Sequence, residues 1–168
     1  MEEEIINKVA ASGLITFNLE DIYPPGERVV YDLKDNLFMG LILKEKEFRQ
    51  FLKENDWSVY KDKYVAVICS EDAIIPQWAF MLLTLHLQPH ARLVHIGDVE
   101  SLEERIFLNE LQKIDFSSFE NTRVVVKGCS KVTVSSAVYS EVTQRLFPYV
   151  KSLMFGEPCS TVPLFKRK

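Results

Sequence analysis

The chain has 168 residues, of which 47% are apolar and 26% charged, with a net charge of −4. That length suits one domain with a two- or three-layer core, and that composition excludes a disordered chain. The acidic balance excludes a nucleic-acid partner held by phosphate neutralisation. The start, Met1-Glu2-Glu3-Glu4, has the opposite charge to a secretory signal, and the most apolar stretch, Trp78 to Leu87, is about half as long as a membrane span needs. A cytoplasmic protein with no membrane contact is expected.

In chain order, the opening segment offers a short helical turn near Ile5 to Ala10 and a strand from Leu14 to Leu19. The place of that strand in a sheet stays open, an antiparallel edge included. A turn at Pro24-Pro25-Gly26 precedes two extended runs, Arg28 to Leu33 and Leu37 to Leu43. A helix from about Lys44 to Glu54 follows, with Phe48, Phe51 and Leu52 on its inner face. Trp57 and Tyr60 read as loop anchors in the core.

From Tyr60 the chain reads as a strand ending at Ile68, a helix from about Pro76 to Leu87, the turn residue Pro89, and a strand from Arg92 to Ile96 closed by Gly97-Asp98. Phe119 opens a second copy: a strand ending at Lys127, a helix from about Ser136 to Phe147, Pro148, and a strand from Lys151 to Phe155 closed by Gly156-Glu157. Pro148 and Gly156 lie 59 residues after Pro89 and Gly97, whereas Cys129 lies 60 after Cys69, which implies one deletion in the intervening loop. Between the copies, Ser101 and Glu104 suggest a capping box for a helix whose Leu102, Ile106 and Leu111 share one face. Val162 to Phe165 reads as a closing extended segment. Each copy has the form of a βαβ unit. The expected fold is a single α/β domain over residues 1–168: N-terminal strands and a helix in 1–58, then βαβ units over 60–98 and 119–157. Its sheet is mostly parallel, with helices packed on it.

All three cysteines stand before serine, as Cys69-Ser70, Cys129-Ser130 and Cys159-Ser160, and each follows an apolar run that reads as a strand. Strands running parallel in one sheet would bring the three thiols to its carboxyl edge, where open α/β sheets place ligands. An odd number of cysteines with no C-x-x-C pair predicts free thiols. Thiolates suit Zn²⁺ or an iron–sulfur cluster, and three sulfurs leave a fourth position. Asp98 and Glu157 follow the glycines that close each copy, so either completes such a shell, with Asp72 a further candidate.

Two other readings compete. Cys69 or Cys129, each ahead of a helix, suits a nucleophile in a sulfur or acyl transferase. Alternatively all three thiols are buried packing residues of an interaction domain, since free cysteine is among the most buried residue types. His86, His90 and His95 gather around the Pro89 turn, away from the carboxyl edge, so a Cys–His pair is not expected. No Gly-x-Gly-x-x-Gly and no Gly-Lys-Ser/Thr phosphate loop is present. Gly128-Cys129-Ser130 offers backbone N–H groups for an anion, and a tight turn explains Gly128 equally well.

The segments GLILKEKEFR (40–49), CSEDAIIPQWA (69–79), KGCS (127–130) and GEPCSTVPL (156–164) together resemble a small family of bacterial proteins of about this length, described as a domain of unknown function. The resemblance covers the whole chain and brings no assigned activity or catalytic residues. It implies an association with SUF-type iron–sulfur assembly genes. With that association, the leading expectation is a metal- or iron–sulfur-binding accessory protein whose ligands are Cys69, Cys129 and Cys159 with Asp98 or Glu157, and whose partners are iron–sulfur assembly proteins.

Overall fold

The computed structural model describes residues 13–168, so the turn expected near Ile5 to Ala10 lies outside the described residues. In chain order the elements are β1 (Leu14–Asn18), α1 (Leu19–Ile22), β2 (Arg28–Asp32), α2 (Glu45–Glu54), β3 (Tyr64–Ile68), α3 (Gln77–Leu87), β4 (Leu93–Ile96), α4 (Val99–Gln112), β5 (Arg123–Lys127), α5 (Ser136–Leu146), β6 (Ser152–Glu157) and β7 (Ser160–Lys166). The class is mixed α/β with mostly parallel strands, as the sequence predicts. The strands, however, form two sheets rather than one, ordered β2-β3-β4 and β1-β5-β6-β7. They belong to two compact units, one spanning Pro25–Arg105 and the other joining the chain up to Pro24 with Ile106–Lys168.

In the Pro25–Arg105 unit all three strands run parallel. Alternation along β3 sends Val65 and Val67 to one face of the sheet. There they meet Phe48 and Leu52 of α2 and Ala79, Leu83 and Leu87 of α3 in one buried cluster. Two right-handed crossovers that add strands in sequence place both helices on the same side, as observed. The helix residues that reach the sheet recur every four positions, as a single buried stripe requires.

The second unit repeats this plan. Phe107 and Leu111 of α4, Val124 and Val126 of β5, and Val138, Val142 and Leu146 of α5 form its core. Each lies 59 residues after its counterpart in the first cluster. The repeat extends upstream of Phe119 into caps and turns. Asp56 and Asp115 each accept a backbone N–H two residues on, at 2.9 and 3.0 Å, starting matched 3-10 turns. Asp62 and Asn121 both adopt positive φ, and their N–H groups donate to the matching carbonyls of His90 and Tyr149. The repeated unit is therefore βαβαβ. Its first strand comes from just upstream in one copy (β2) and from before the whole first unit in the other (β1).

One open point is settled and two local expectations change. β1 is a parallel edge, paired with β5 from Leu14↔Arg123 to Asn18↔Lys127. Residues 37–43 close on themselves instead of extending. Met39 (φ 52) and Gly40 (φ 70) turn the chain, and Phe38 N–H donates to Ile42 O at 2.7 Å. Consecutive positive φ values produce a tight hairpin-type turn, not a strand. The loop after β5 contains no deletion, because strands before it and helices after it both keep the 59-residue offset. Cys129 thus stands one residue further along its loop than Cys69. At the carboxyl end, β7 pairs antiparallel with β6 and realises the expected closing segment.

Candidate functional site

Strands β1, β5 and β6 run parallel, so their carboxyl ends share one edge of the four-stranded sheet. A cleft of about 490 Å³ opens there, lined by Asn18, Glu20, Lys127, Gly128, Cys129, Ser130, Tyr139 and Glu157. Asn18 ends β1 and caps the short α1, its Oδ1 accepting Glu20 N–H at 3.2 Å. That cap projects Glu20 toward the loop that follows β5. The Glu20 carboxylate accepts Ser130 N–H at 3.0 Å and also the Ser130 hydroxyl. The N–H offered by this loop therefore already holds an anion, and the anion is the chain's own. These two bonds hold the Glu20 carboxyl below the usual carboxylate range.

Cys129 sits between that clamp and Tyr139, and is half-buried with a free thiol. A side-chain carbon at Gly128 would fall 2.7 Å from the Tyr139 hydroxyl, so glycine is what lets the phenol reach this rim. Tyr139 is held from the other side by an edge-to-face contact with Phe155, with centroids 5.5 Å apart. Burial pushes the Tyr139 hydroxyl pKa up, and the Cys129 sulfur pushes it further. The phenol therefore remains a proton-bearing donor across the neutral range. Lys127 Nζ lies 3.0 Å from Glu157 Oε2 across the mouth. Both ends of this pair are substantially exposed, so its contribution to stability is small.

The structure brings Cys129 and Glu157 into this one cleft. Cys159 occupies the exposed turn between β6 and β7, at the same sheet edge but outside the lining. Cys69 and Asp98 belong to the Pro25–Arg105 unit. Cys69 follows β3, and its Sγ donates to Glu71 O at 3.5 Å. The neighbouring Ser70 gives its N–H to Asp32 Oδ1 at 3.0 Å and its hydroxyl to Asp32 Oδ2 at 2.6 Å. The serine–carboxylate clamp is thus built twice, with different carboxylate positions: Asp32 stands where the other copy has Asn18. Asp98 caps α4, accepting Ser101 N–H and hydroxyl, each at 2.8 Å. Ser101 accordingly lies inside the first turn and is not the cap itself, since the helix begins at Val99. Among the described residues, no group of three or more His, Cys, Asp or Glu side chains is placed to hold a metal ion.

His95 corrects the sequence reading. It lies near the carboxyl end of β4, not beside the Pro89 turn, because the strand begins only at Leu93 and runs away from that turn. Its Nε2 is 3.0 Å from Ser101 Oγ. Glu20, Tyr139 and Asn18 were the site residues that sequence reading missed. For Asn18 and Glu20 the repeat could have pointed to them, through the polar residues at the end of each first strand; for Tyr139, whose counterpart is Phe80, the sequence carries no such signal.

No helix among the described residues is long and apolar enough to cross a membrane. The model of a family described as "Protein of unknown function (DUF2480)" matches residues 3–167, and the chain belongs to that family. No curated protein matches the chain, and no solved structure does.

Proposed function

We propose that this DUF2480 chain is a cytoplasmic thiol group-transfer protein, in which Cys129 takes up a sulfur or acyl group from a small polar donor bound in the carboxyl-edge cleft. One observation carries the reading. A free thiol lines an open polar cleft at the sheet edge where α/β folds hold ligands, beside a phenol that keeps its proton. With a persulfide donor, Cys129 sulfur attacks the outer sulfur. A new S–S bond forms, the donor's S–S bond breaks, and the departing thiolate takes the proton that Cys129 gives up. With a thioester donor the attack falls on the carbonyl carbon, and one S–C bond replaces another with the same proton balance. The Tyr139 hydroxyl is the donor group available to the leaving sulfur or the carbonyl oxygen. For the sulfur form, the proposed partners are iron–sulfur assembly proteins, as the family resemblance led us to expect.

The test is intact-mass analysis after incubation with glutathione persulfide or a small acyl thioester. A single adduct should form on the wild type and persist in Cys69→Ser and Cys159→Ser but vanish in Cys129→Ser. An adduct that survives Cys129→Ser, or spreads evenly over three thiols, would sink the reading.

A second reading keeps the metal expectation, and the shared cleft of Cys129 and Glu157 is what favours it. Against it stand the Lys127 pairing of Glu157 and the absence of a third clustered ligand among the described residues. Zinc or iron with acid-labile sulfide, measured on protein purified without oxygen or an affinity tag, decides it. Stoichiometric metal that disappears in Cys129→Ser would favour this reading over transfer.

A further inference from the structure

Helix α3 and helix α5 occupy the same position in the two copies of the repeat, and the difference between their outer faces points to an interface. Both bury the same stripe: Ala79, Leu83 and Leu87 in one, Val138, Val142 and Leu146 in the other. Away from the core, α5 exposes Ser140 and Gln144. The positions 59 residues earlier in α3 are Met81 and Leu85, exposed at 68% and 67%. No Asp, Glu, Lys or Arg occurs anywhere in α3. A helix apolar on every face is normally buried on every face. The fold itself does not demand this surface, because the second copy folds with a polar one.

The apolar surface continues beyond the helix. Ile74, in the extended segment just before α3, is 92% exposed, and Met81 and Leu85 lie four positions apart on the exposed face of the helix itself. Trp78 contacts Phe48 near the start of α2, with ring centroids 6.4 Å apart. Lys44, at that same end, lies 3.3 Å over the ring of Phe38, in the tight turn whose tip is Met39. Met39 is 78% exposed, and Leu41 and Ile42 beside it are exposed as well.

We infer that this face pairs with a second copy of the chain across a two-fold axis, seating α3 against α3. Two arguments select that occupant. Charge is the first: α3 carries no Asp, Glu, Lys or Arg, so meeting its own symmetry mate sets no like charges against each other. Area is the second. The six exposed apolar side chains Met39, Leu41, Ile42, Ile74, Met81 and Leu85 offer on the order of 800 Å², the share that one partner of a standard interface buries.

Sedimentation velocity and light scattering of the tag-free full chain over a wide concentration range test the inference. The wild type should reach twice the chain mass of 19.4 kDa. Met81→Ser with Leu85→Gln transplants the chemistry of α5 and should return the mass to that of one chain, with unchanged far-UV circular dichroism. Leu85→Lys, which keeps a good helix former but sets like charges across the axis, should weaken dimerisation at least tenfold. A wild type that stays monomeric throughout, as a surface reserved for a different protein would require, overturns the inference. So does a dimer that survives both variants.

Discussion

Glu20 and Ser130 show how one short contact shapes the candidate site. The carboxylate takes both hydrogens that Ser130 offers, and this fixes the loop carrying Cys129. Because the folded pKa is held below the unfolded value, the bonds stabilise the fold above the ordinary carboxylate range. That stabilisation is lost as the pH falls through the lowered value. In Glu20→Ala the Ser130 amide should exchange faster with solvent at neutral pH, while the stability gap from wild type should close in acid. A gap independent of pH would mean that the carboxylate's charge has no part in the clamp.

His95 titrates with the same sign for a different cause. Burial, then Arg105, push its pKa below 6.5, although Asp98 and Glu104 pull the other way. Below 6.5 the unfolded chain therefore takes up a proton that the folded imidazole resists, so stability falls as the pH drops from there toward the folded value. His95→Gln should flatten that part of the stability curve in a chemical-denaturation series.

At the scale of elements, the ends of strands are set as tightly as their cores. Gly97 closes β4 at φ +145, and a Cβ there would lie 2.6 Å from Ser101 Oγ and 2.8 Å from His95 Nε2. Gly97→Ala should cost about 1–3 kcal/mol through backbone strain, with further loss where the His95–Ser101 contact breaks. Helix α3 gives the complementary comparison. Leu83 is fully buried against β3, and Leu83→Ala should cost about 2–5 kcal/mol in denaturant unfolding. Met81→Ser, two residues earlier on the opposite, exposed face, should change monomer stability by about 0.5 kcal/mol or less. These elements were largely legible in the sequence. A strand such as Tyr64 to Ile68 shows as a short β-branched apolar run, and a helix face such as Phe48 with Leu52 carries its period openly. The turn at Met39-Gly40 was not legible, because its apolar residues imitate a strand and only the sign of φ separates the two. The same ambiguity hid the cap of α4, where Asp98 and Ser101 are both good cap residues.

For the whole molecule, the decisive feature is a duplication nested in sequence. Two βαβ copies carry the 59-residue period but not its full extent, because the first strand of each unit lies outside that period. Tyr31 and Leu33 answer Phe17 and Leu19 at a spacing of 14, with one complete unit lying between β1 and the rest of its sheet. Local pattern reveals a strand, but its partner is chosen by long-range pairing that no local pattern encodes. The expected three-thiol rim assumed one sheet, whereas Cys69 follows a strand of one sheet and Cys129 a strand of the other.

The nesting also has a consequence for folding. The Pro25–Arg105 unit is continuous in sequence and contains all three strands of its sheet, both helices of its core cluster and the ion pair of Arg28 with Glu103 at 2.9 Å. The other unit needs Phe17 and Leu19, both buried, from the far side of that insertion. Closing so distant a contact costs loop entropy unless the intervening chain has already folded. A fragment of residues 25–105 should therefore unfold cooperatively on its own, as read by circular dichroism in urea. A fragment of residues 106–168, left without β1 and two core side chains, should show no cooperative transition. If the second fragment folded alone while the first did not, the order of dependence argued from the nesting would be reversed.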